Sequence, residues 1–448
     1  MAQVKTWNTG NGTWQTDGNW SPVNAPASSD GVNLYRPTDQ TVPFTVDFSG
    51  NATVTRLYLG NGAAASTSIP VQATLDLTGG DILSITGVSS TALAFGATNA
   101  SGNVSLTITG GTVEALNLRI NGTTNSTSTS YLYIQGPNAI LNTRAITGGV
   151  NSFIGASSPA EVHVTGGASF ITGSTGERMM VGPAGSPTAT SNGKLFIQGS
   201  GSNYNGNYQT NIAWGGVGHV EVSGGGSFTE NTLNIAAANN TIGTLLISGT
   251  GSSLAVTNVN LGAFAYFPGV DPNAFTNANA TLTIANGANA TTSLLNLRGS
   301  LSTLAADGST MKVTGANNAT LSNSAAFFDT NATLRMTLDS PLTTLAALEV
   351  TNRLHITNAA LDILLSGTFS ADVDDVFTVA DYGALTGTFA GLSENATFSV
   401  GGESFRINYG DGTNDSIILT VIPEPSAAGL LLAAGAALAI ARRRSAAK

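Results

Sequence analysis

The chain has 448 residues, a formal net charge of −10, 54 glycines and no cysteine. Its hydrophobic share of 41% excludes a disordered chain, and the lack of cysteine excludes disulfides and thiolate metal sites. The negative charge argues against nucleic acid as a partner, because binding to a phosphate backbone needs clustered lysine and arginine. Only 9% of the residues are charged, so serine, threonine, asparagine and glycine must supply the surface polarity.

Residues 1–56 contain Trp7, Trp14 and Trp20 among glycine, asparagine and aspartate. The end of a stack of strands exposes unpaired edges, which natural proteins cover. We therefore predict an N-terminal capping segment at 1–56, in which the three indoles close the core. The alternative interpretation is that they form a carbohydrate-binding platform.

A six-residue pattern then recurs eleven times from Leu75 to Ala359. Its first and third positions are apolar in every copy, the second varies, and the fifth is glycine in eight copies and asparagine in two. Because strand side chains alternate between faces, positions one and three point to a core and position two points to solvent. Glycine and asparagine tolerate the positive φ of a sharp corner after each strand. The copies begin at Leu75, Leu106, Leu132, Val162, Leu195, Val220, Leu245, Leu282, Met311, Leu334 and Leu354.

Weaker apolar-alternating segments lie between the copies, such as Leu116-Asn-Leu118, Leu233-Asn-Ile235 and Ser169-Phe-Ile171. Two or three short strands in each repeat of about 28 residues predict an all-β fold, in which residues 57–360 form a right-handed parallel β-helix, or solenoid. A β-propeller is the less favoured alternative, because its blades usually need four strands and about 40 residues. The tenth copy has Leu338 in the fifth position, so we expect an irregular coil there.

The repeat predicts one inward and one outward column of side chains along the solenoid. The inward column includes Ile108, Val164, Val222, Ile247 and Ile284. The outward column includes His163, Glu221, Lys312 and Arg335.

Polysaccharide lyases and hydrolases also use β-helices, and such enzymes need clustered carboxylates. The acidic residues of the central repeats are instead scattered along the sequence at Asp81, Glu114, Glu161, Glu177, Glu221 and Glu230. We therefore expect a solvated face with isolated charges, and no catalytic residue, cofactor or bound metal.

The residue pattern changes after residue 360. Residues 361–422 are predicted to form a small antiparallel β module that covers the C-terminal edge of the solenoid. Oxygen donors of the kind that Ca²⁺ prefers occur in two clusters, at Asp372, Asp374 and Asp375 and at Asp411, Asn414 and Asp415. Tight turns closed by aspartate side chains explain both clusters more simply.

The last segment, 423–448, begins with Pro423, Glu424 and Pro425, continues as an apolar run, and ends in a basic cluster. Pro423 is expected to end the last strand, because proline removes a ladder hydrogen bond. The apolar run from Ala427 to Ala441 is rich in alanine and leucine, which favour a helix. A helix from Ser426 to Ala441 would be about 24 Å long, short of the hydrocarbon core of about 30 Å. The alternative is a C-terminal helix buried against the β body.

This tail resembles the PEP-CTERM sorting signal of Gram-negative-type bacteria. The resemblance implies that an exosortase, a membrane protease-transpeptidase, recognises Pro423, Glu424 and Pro425. It also implies that the apolar run is a transient anchor in the inner membrane and that Arg442, Arg443 and Arg444 form a cytoplasmic stop. Members of the family normally carry a signal peptide, and the first residues here have no basic segment followed by an apolar stretch. We therefore expect that a leader has been removed.

The repeat body is similar to autotransporter-like β-helical surface proteins. The combined sequence features favour an exported structural or adhesive protein of the cell surface or extracellular matrix, sorted through its tail. Extracellular polysaccharide and end-to-end association with further copies are the additional partners expected. The alternative is a carbohydrate-active or carbohydrate-binding β-helix protein.

Overall fold

A computed structural model describes residues 3–34, 43–59, 71–87, 92–95, 103–120, 129–143, 151–156, 158–173, 176–183, 191–262, 277–298, 301–318, 323–341, 344–411 and 413–423. Within these ranges the protein is a parallel β-solenoid of about 11 turns, as predicted. We call each turn a coil.

The strands follow one another with short corners between them. The N-terminal segment contains β1 (Val4–Trp7), β2 (Gly12–Thr13), β3 (Trp20–Ser21), β4 (Gly31–Leu34), β5 (Phe44–Phe48) and β6 (Asn51–Val54), with a single 3₁₀ turn at Asp17–Asn19. The first coils continue with β7 (Arg56–Leu59), β8 (Val71–Leu77), β9 (Ile82–Ile85), β10 (Leu93–Phe95), β11 (Val104–Thr109), β12 (Thr112–Ala115), β13 (Leu118–Ile120), β14 (Ser130–Gln135), β15 (Ile140–Asn142), β16 (Ser152–Ile154), β17 (Ala160–Thr165), β18 (Ser169–Ile171) and β19 (Arg178–Val181). The later coils contain β20 (Asn192–Gln198), β21 (Asn203–Asn205), β22 (Gln209–Ile212), β23 (Val217–Ser223), β24 (Ser227–Ile235), β25 (Ile242–Ser248), β26 (Ser253–Leu261), β27 (Asn279–Ala285), β28 (Asn289–Leu297), β29 (Leu301–Asp307), β30 (Thr310–Val313), β31 (Ala326–Phe328), β32 (Ala332–Leu338), β33 (Leu348–Thr357) and β34 (Ala360–Leu365). The chain closes with β35 (Val376–Thr388), β36 (Thr397–Val400), β37 (Glu403–Asn408) and β38 (Thr413–Ile422).

Three ladders of parallel strands form the three sides of the coils. One ladder is a separate sheet of 13 strands, which we call the repeat sheet; it runs through β2, β5, β8, β11, β14, β17, β20, β23, β25, β27, β29, β32 and β34. The other two ladders belong to a 25-stranded sheet. They join because β24, β26 and β28 each run through both sides.

The predicted inward column is confirmed. Ile108, Val164, Val222, Ile247 and Ile284 occupy equivalent positions in the repeat sheet and are fully buried, each at 0% exposure. The strict alternation of apolar and polar residues produces this column, because a slip of one residue would turn every apolar side chain to solvent. The core consequently runs from coil to coil without a break, as in other solenoids.

The structure corrects the assignment of three copies of the repeat. The copies that begin at Met311 and Leu354 lie in β30 and β33, outside the repeat sheet. Their places in that sheet are taken by β29 and β34. β29 turns at Gly308, which has a φ of 60°, whereas β34 runs on to Leu365 without a glycine corner. In the first copy Leu75 pairs with Ile108 and not with Leu106. This shift of two residues leaves the same face of the strand inward.

Most corners have the positive φ that the fifth position predicted, whereas Gly79 and Gly315 do not. Gly166 has a φ of 66°, and the asparagines at this position, Asn286 and Asn358, have φ values of 56° and 54°. The tenth copy has no such corner, since β32 runs on to Leu338 as a strand. The irregularity expected at Leu338 is therefore confirmed.

A buried column of asparagines links four successive coils outside the core. The side-chain amide of Asn234 donates to Asn211 at 2.8 Å, that of Asn260 to Asn234 at 2.9 Å, and that of Asn296 to Asn260 at 3.3 Å. All four side chains are at most 6% exposed. Such amide ladders satisfy each other's hydrogen bonds and hold the strands in register.

The N-terminal indoles close the first coil. Trp7, Trp14 and Trp20 are at most 1% exposed, and Trp20 meets each of the other two edge-to-face, with ring centroids 4.9 Å apart in both pairs. The predicted core position of the three indoles is confirmed, and the carbohydrate platform is wrong for these rings because no face of them is accessible. Parallel pairing already begins within 1–56, where β4 pairs with β7 and β5 with β8.

The C-terminal module is antiparallel, as predicted. β35 pairs in parallel with β33 and antiparallel with β38, and β37 lies antiparallel between β36 and β38. The last strand ends at Ile422, directly before Pro423. The amide of Asp372 donates to the Asp375 carboxylate at 2.7 Å, which is a local turn. Across the described ranges, no group of three or more histidine, aspartate or glutamate side chains is placed to hold a metal.

Residues 424–448 lie outside the described residues, and with them Glu424, Pro425, the apolar run and Arg442, Arg443 and Arg444. In the ranges that the structure does describe, there is no helix with the length and apolarity needed to span a bilayer.

Candidate functional site

The outer face of the repeat sheet brings together residues that are about thirty positions apart in sequence. His163 pairs with Tyr133 on one side and Phe196 on the other, and Phe196 pairs with Glu221. The predicted outward column is therefore correct for His163 and Glu221, and register along the sheet also places Arg335 on it.

Lys312 does not belong to this column. It lies on β30, in the other sheet, where its ammonium group forms an ion pair with Glu349 at 3.0 Å. The prediction failed because apolar and polar side chains alternate in the same way in the strands on all sides of a coil. The alternation alone therefore does not tell which side of the coil a segment occupies.

Five rings on this face form what we call the aromatic ladder: Tyr131, Tyr133, His163, Phe196 and His219. The ring centroids of Tyr133 and His163 are 5.1 Å apart with planes 20° apart, and those of His163 and Phe196 are 4.7 Å apart with planes 15° apart. The ring of His219 continues the ladder, 5.8 Å from Phe196. The sequence contains a signal for this ladder, because aromatic residues fill the second position of the repeat in three successive copies.

Charged side chains flank the ladder and are paired on the same face. The carboxylate of Glu161 accepts from Lys194 at 2.8 Å and lies 3.3 Å from the imidazole of His163. Glu221 accepts from the Ser223 hydroxyl at 2.9 Å. The Glu161–Lys194 pair ties neighbouring coils together, and both carboxylates are engaged.

Burial sets the protonation of the ladder histidines. It lowers the pKa of His163, and the nearby Glu161 carboxylate only partly opposes this effect. Burial likewise lowers the pKa of His219, whose Nδ1 lies 2.7 Å from the Thr244 hydroxyl. Both imidazoles are therefore neutral at pH 7 and pack as aromatic rings.

The free energy of unfolding is expected to fall as the pH is lowered from 8 to 5. A histidine with an ordinary pKa of about 6.5 in the unfolded chain binds a proton at a pH where buried His163 and His219 do not, so acid favours the unfolded state. Urea unfolding at the two pH values measures the difference. In the variant His163→Phe/His219→Phe the difference should shrink, and an unchanged difference would contradict the assignment.

An open groove of about 310 Å³ lies at the N-terminal end of the aromatic ladder. It is lined by Pro43, Gln72, Ala73, Thr74, Asn103, Ser105, Thr107, Tyr131 and Tyr133. Ser105 and Thr107 pair with Tyr131 and Tyr133, so small side chains precede the two rings along the sheet. None of the described residues that line the groove is charged.

A second, shallower depression of about 490 Å³ lies where the solenoid meets the C-terminal module, and it is acidic. Its carboxylates are engaged: Asp381 accepts from the Ser416 hydroxyl at 2.6 Å, and Glu349 pairs with Lys312. Hydrogen bonds from the backbone amides of Asp411 and Ser416 lower the pKa of Asp415.

Two of the acidic residues predicted to be solvated are buried inside the coils. Glu177 is 1% exposed and Glu230 is 4% exposed. The hydroxyl of Thr210 donates to Glu230 at 2.6 Å and lies 2.7 Å from the Tyr204 hydroxyl. Burial, together with the Glu230 charge, raises the pKa of Tyr204 far above its ordinary value. The sequence could not indicate this, because a carboxylate in an inward position breaks the apolar pattern that identifies the core.

Comparison with protein families and curated sequences gives no relative for this chain. The chain matches no protein-family model, and no curated protein sequence matches it.

Proposed function

We propose that the protein is an exported structural or adhesive component of the bacterial cell surface or extracellular matrix. The capped solenoid, with its uninterrupted core and few charges, is the observation that carries this proposal, because it forms a long, stable rod with closed ends. The Pro423-Glu424-Pro425 tail supports recognition by an exosortase-type protease and a transient anchor in the inner membrane. The uncharged lining of the groove and the engaged carboxylates of the second depression support binding and not catalysis.

Protein isolated from its native host is expected to lack Arg442, Arg443 and Arg444. Mass spectrometry of both termini measures this, and the mature chain should end near Pro425. Replacement of Glu424 by alanine should leave the full tail in place, whereas Glu403→Ala, a carboxylate in β37, should be processed normally. Surface protein that still carries residues 442–448 would contradict cleavage.

The alternative, carbohydrate binding, is favoured by one separate observation. Natural surfaces seldom collect several aromatic rings without a ligand or partner, and the aromatic ladder places five on one outer face. In an adhesive rod the accessible rings at the end of this ladder are the part that would contact extracellular polysaccharide. Adhesion and carbohydrate binding are then one activity.

A further inference from the structure

The two central rings of the aromatic ladder, His163 and Phe196, have a neighbouring ring on each side. His163 lies between Tyr133 and Phe196, with its ring planes within 20° of both and centroid distances of 5.1 and 4.7 Å. Phe196 is in turn followed by His219 at 5.8 Å. A ring stacked on both sides exposes only its edge, so these members of the ladder cannot stack on a ligand.

The two tyrosines at the start of the ladder are different. Tyr131 and Tyr133 are alternate residues of β14, their ring planes differ by 7°, and their centroids are 6.1 Å apart. This distance is close to the rise of two residues along a strand, about 6.6 Å, so the rings lie side by side as one flat wall. Glu161 and His163, in the next coil, lie behind the wall.

The other side of this wall opens into the groove. Ser105 and Thr107 occupy the preceding coil opposite the two rings, and their short side chains leave the ring faces accessible. The wall combines apolar ring faces with two phenol hydroxyls, which suits ligands that have both apolar and polar surfaces.

The remaining lining of the groove is polar but uncharged. Gln72 and Asn103 contribute amides, and Thr74, Ser105 and Thr107 contribute hydroxyls. On this face Glu161 and Lys194 pair with each other behind the rings, and Asp76, two residues beyond Thr74, accepts from the Thr109 hydroxyl at 2.9 Å. A flat aromatic wall beside neutral donors and acceptors fits a sugar ring, which has an apolar C–H face and a rim of hydroxyls, and it offers no cation to an acidic ligand.

We propose that the Tyr131–Tyr133 wall and the groove in front of it bind a short segment of a neutral polysaccharide. This site deepens the adhesive role proposed above, and it does not depend on how the tail is processed. The groove volume of about 310 Å³ lies at the lower end of the range for small-ligand sites, about 300–1,000 Å³. The groove therefore holds a few sugar units of a longer chain.

The test is affinity gel electrophoresis of the full-length chain in gels that contain a neutral β-glucan, a neutral galactomannan or anionic polygalacturonate. The wild-type protein should be retarded by a neutral polysaccharide. Tyr133→Ala should weaken this binding about tenfold, in line with the loss of one aromatic contact, whereas Tyr133→Phe keeps the ring face and should bind within about twofold.

Two further variants separate the site from the rest of the ladder. Thr107→Trp adds a ring in front of Tyr133, fills the groove and should abolish binding while both tyrosines remain. Phe196→Ala removes a ring without a free face and should leave binding unchanged. Thermal melts of each variant verify that it is folded.

The proposal is overturned if no neutral polysaccharide retards the wild-type protein, or if Tyr133→Ala and Phe196→Ala weaken binding equally. Binding of polygalacturonate alone, unaffected by Thr107→Trp, would also overturn it and would move the ligand to the charged part of the face. These outcomes leave the proposed export untouched, because the termini of the native protein test that separately.

Discussion

Replacing Trp20 by alanine is expected to lower the free energy of unfolding by about 3–5 kcal/mol, the cost of removing a large buried aromatic side chain. Trp20 is 1% exposed and lies between Trp7 and Trp14, both with ring centroids 4.9 Å away. Its indole N–H also donates to the Trp14 carbonyl at 2.7 Å. The substitution therefore leaves a cavity and a buried carbonyl without this donor.

The loss should be local at first, because the stability of a solenoid is approximately a sum of coil and interface terms. Chemical denaturation measures the size of the effect, and hydrogen exchange should show the first coils opening before the rest. Trp214, which is only partly buried, provides the matched control. Equal losses for Trp20→Ala and Trp214→Ala would show that the N-terminal indoles do not act as a cap.

Replacing Gly182 by valine is expected to cost at least about 3 kcal/mol, at the upper end of single-residue effects. Gly182 has a φ of 70°, a region that strains a β-branched residue by about 1–3 kcal/mol. A Cβ atom at this position would also overlap the carbonyl group of Val217 in the next coil. The clash is with backbone, so no side-chain rotation relieves it.

A second glycine, Gly176, distinguishes backbone strain from the clash with Val217 as the cause of the lost stability. It has a φ of 92°, and a Cβ atom added to it would meet nothing within 4 Å. Gly176→Val therefore reports the backbone strain alone, and the difference between the two melting temperatures reports the contact with Val217. If the two variants melt at the same temperature, close packing between coils does not constrain this corner.

The sequence predicted the fold well because one physical rule governs nearly all of it. The alternation at Ile108 and its equivalents specifies which face is buried, and the glycine or asparagine after it specifies the corner. The same rule could not assign Met311 and Leu354 to a side of the coil, because every side alternates in the same way. It also missed β29, where Ala306 occupies the core position that isoleucine or valine fills in other coils.

The candidate site was only partly predictable, because it depends on register between coils. Tyr133, His163 and Phe196 are separated by about thirty residues each, and nothing in the spacing of outward residues requires them to stack. The placement of His163 and Glu221 on one column, two coils apart, followed from the repeat. The flat pair of Tyr131 and Tyr133, and the small residues in front of it, became apparent only once strands β11 and β14 were aligned.

The tyrosine wall lies far from the C-terminal end of the solenoid, where the tail begins. The repeat sheet takes eight steps from β14, which carries the tyrosine wall, to β34 beside the C-terminal module, and each step is about 4.8 Å. In the proposed anchored form, a rod standing upright on the membrane would hold the groove about 40 Å beyond the end that lies next to the tail, and the tryptophan end would be farthest out. That height exceeds the Debye length of about 8 Å at physiological salt, so a glycan held there would be screened from the charge of the lipid surface.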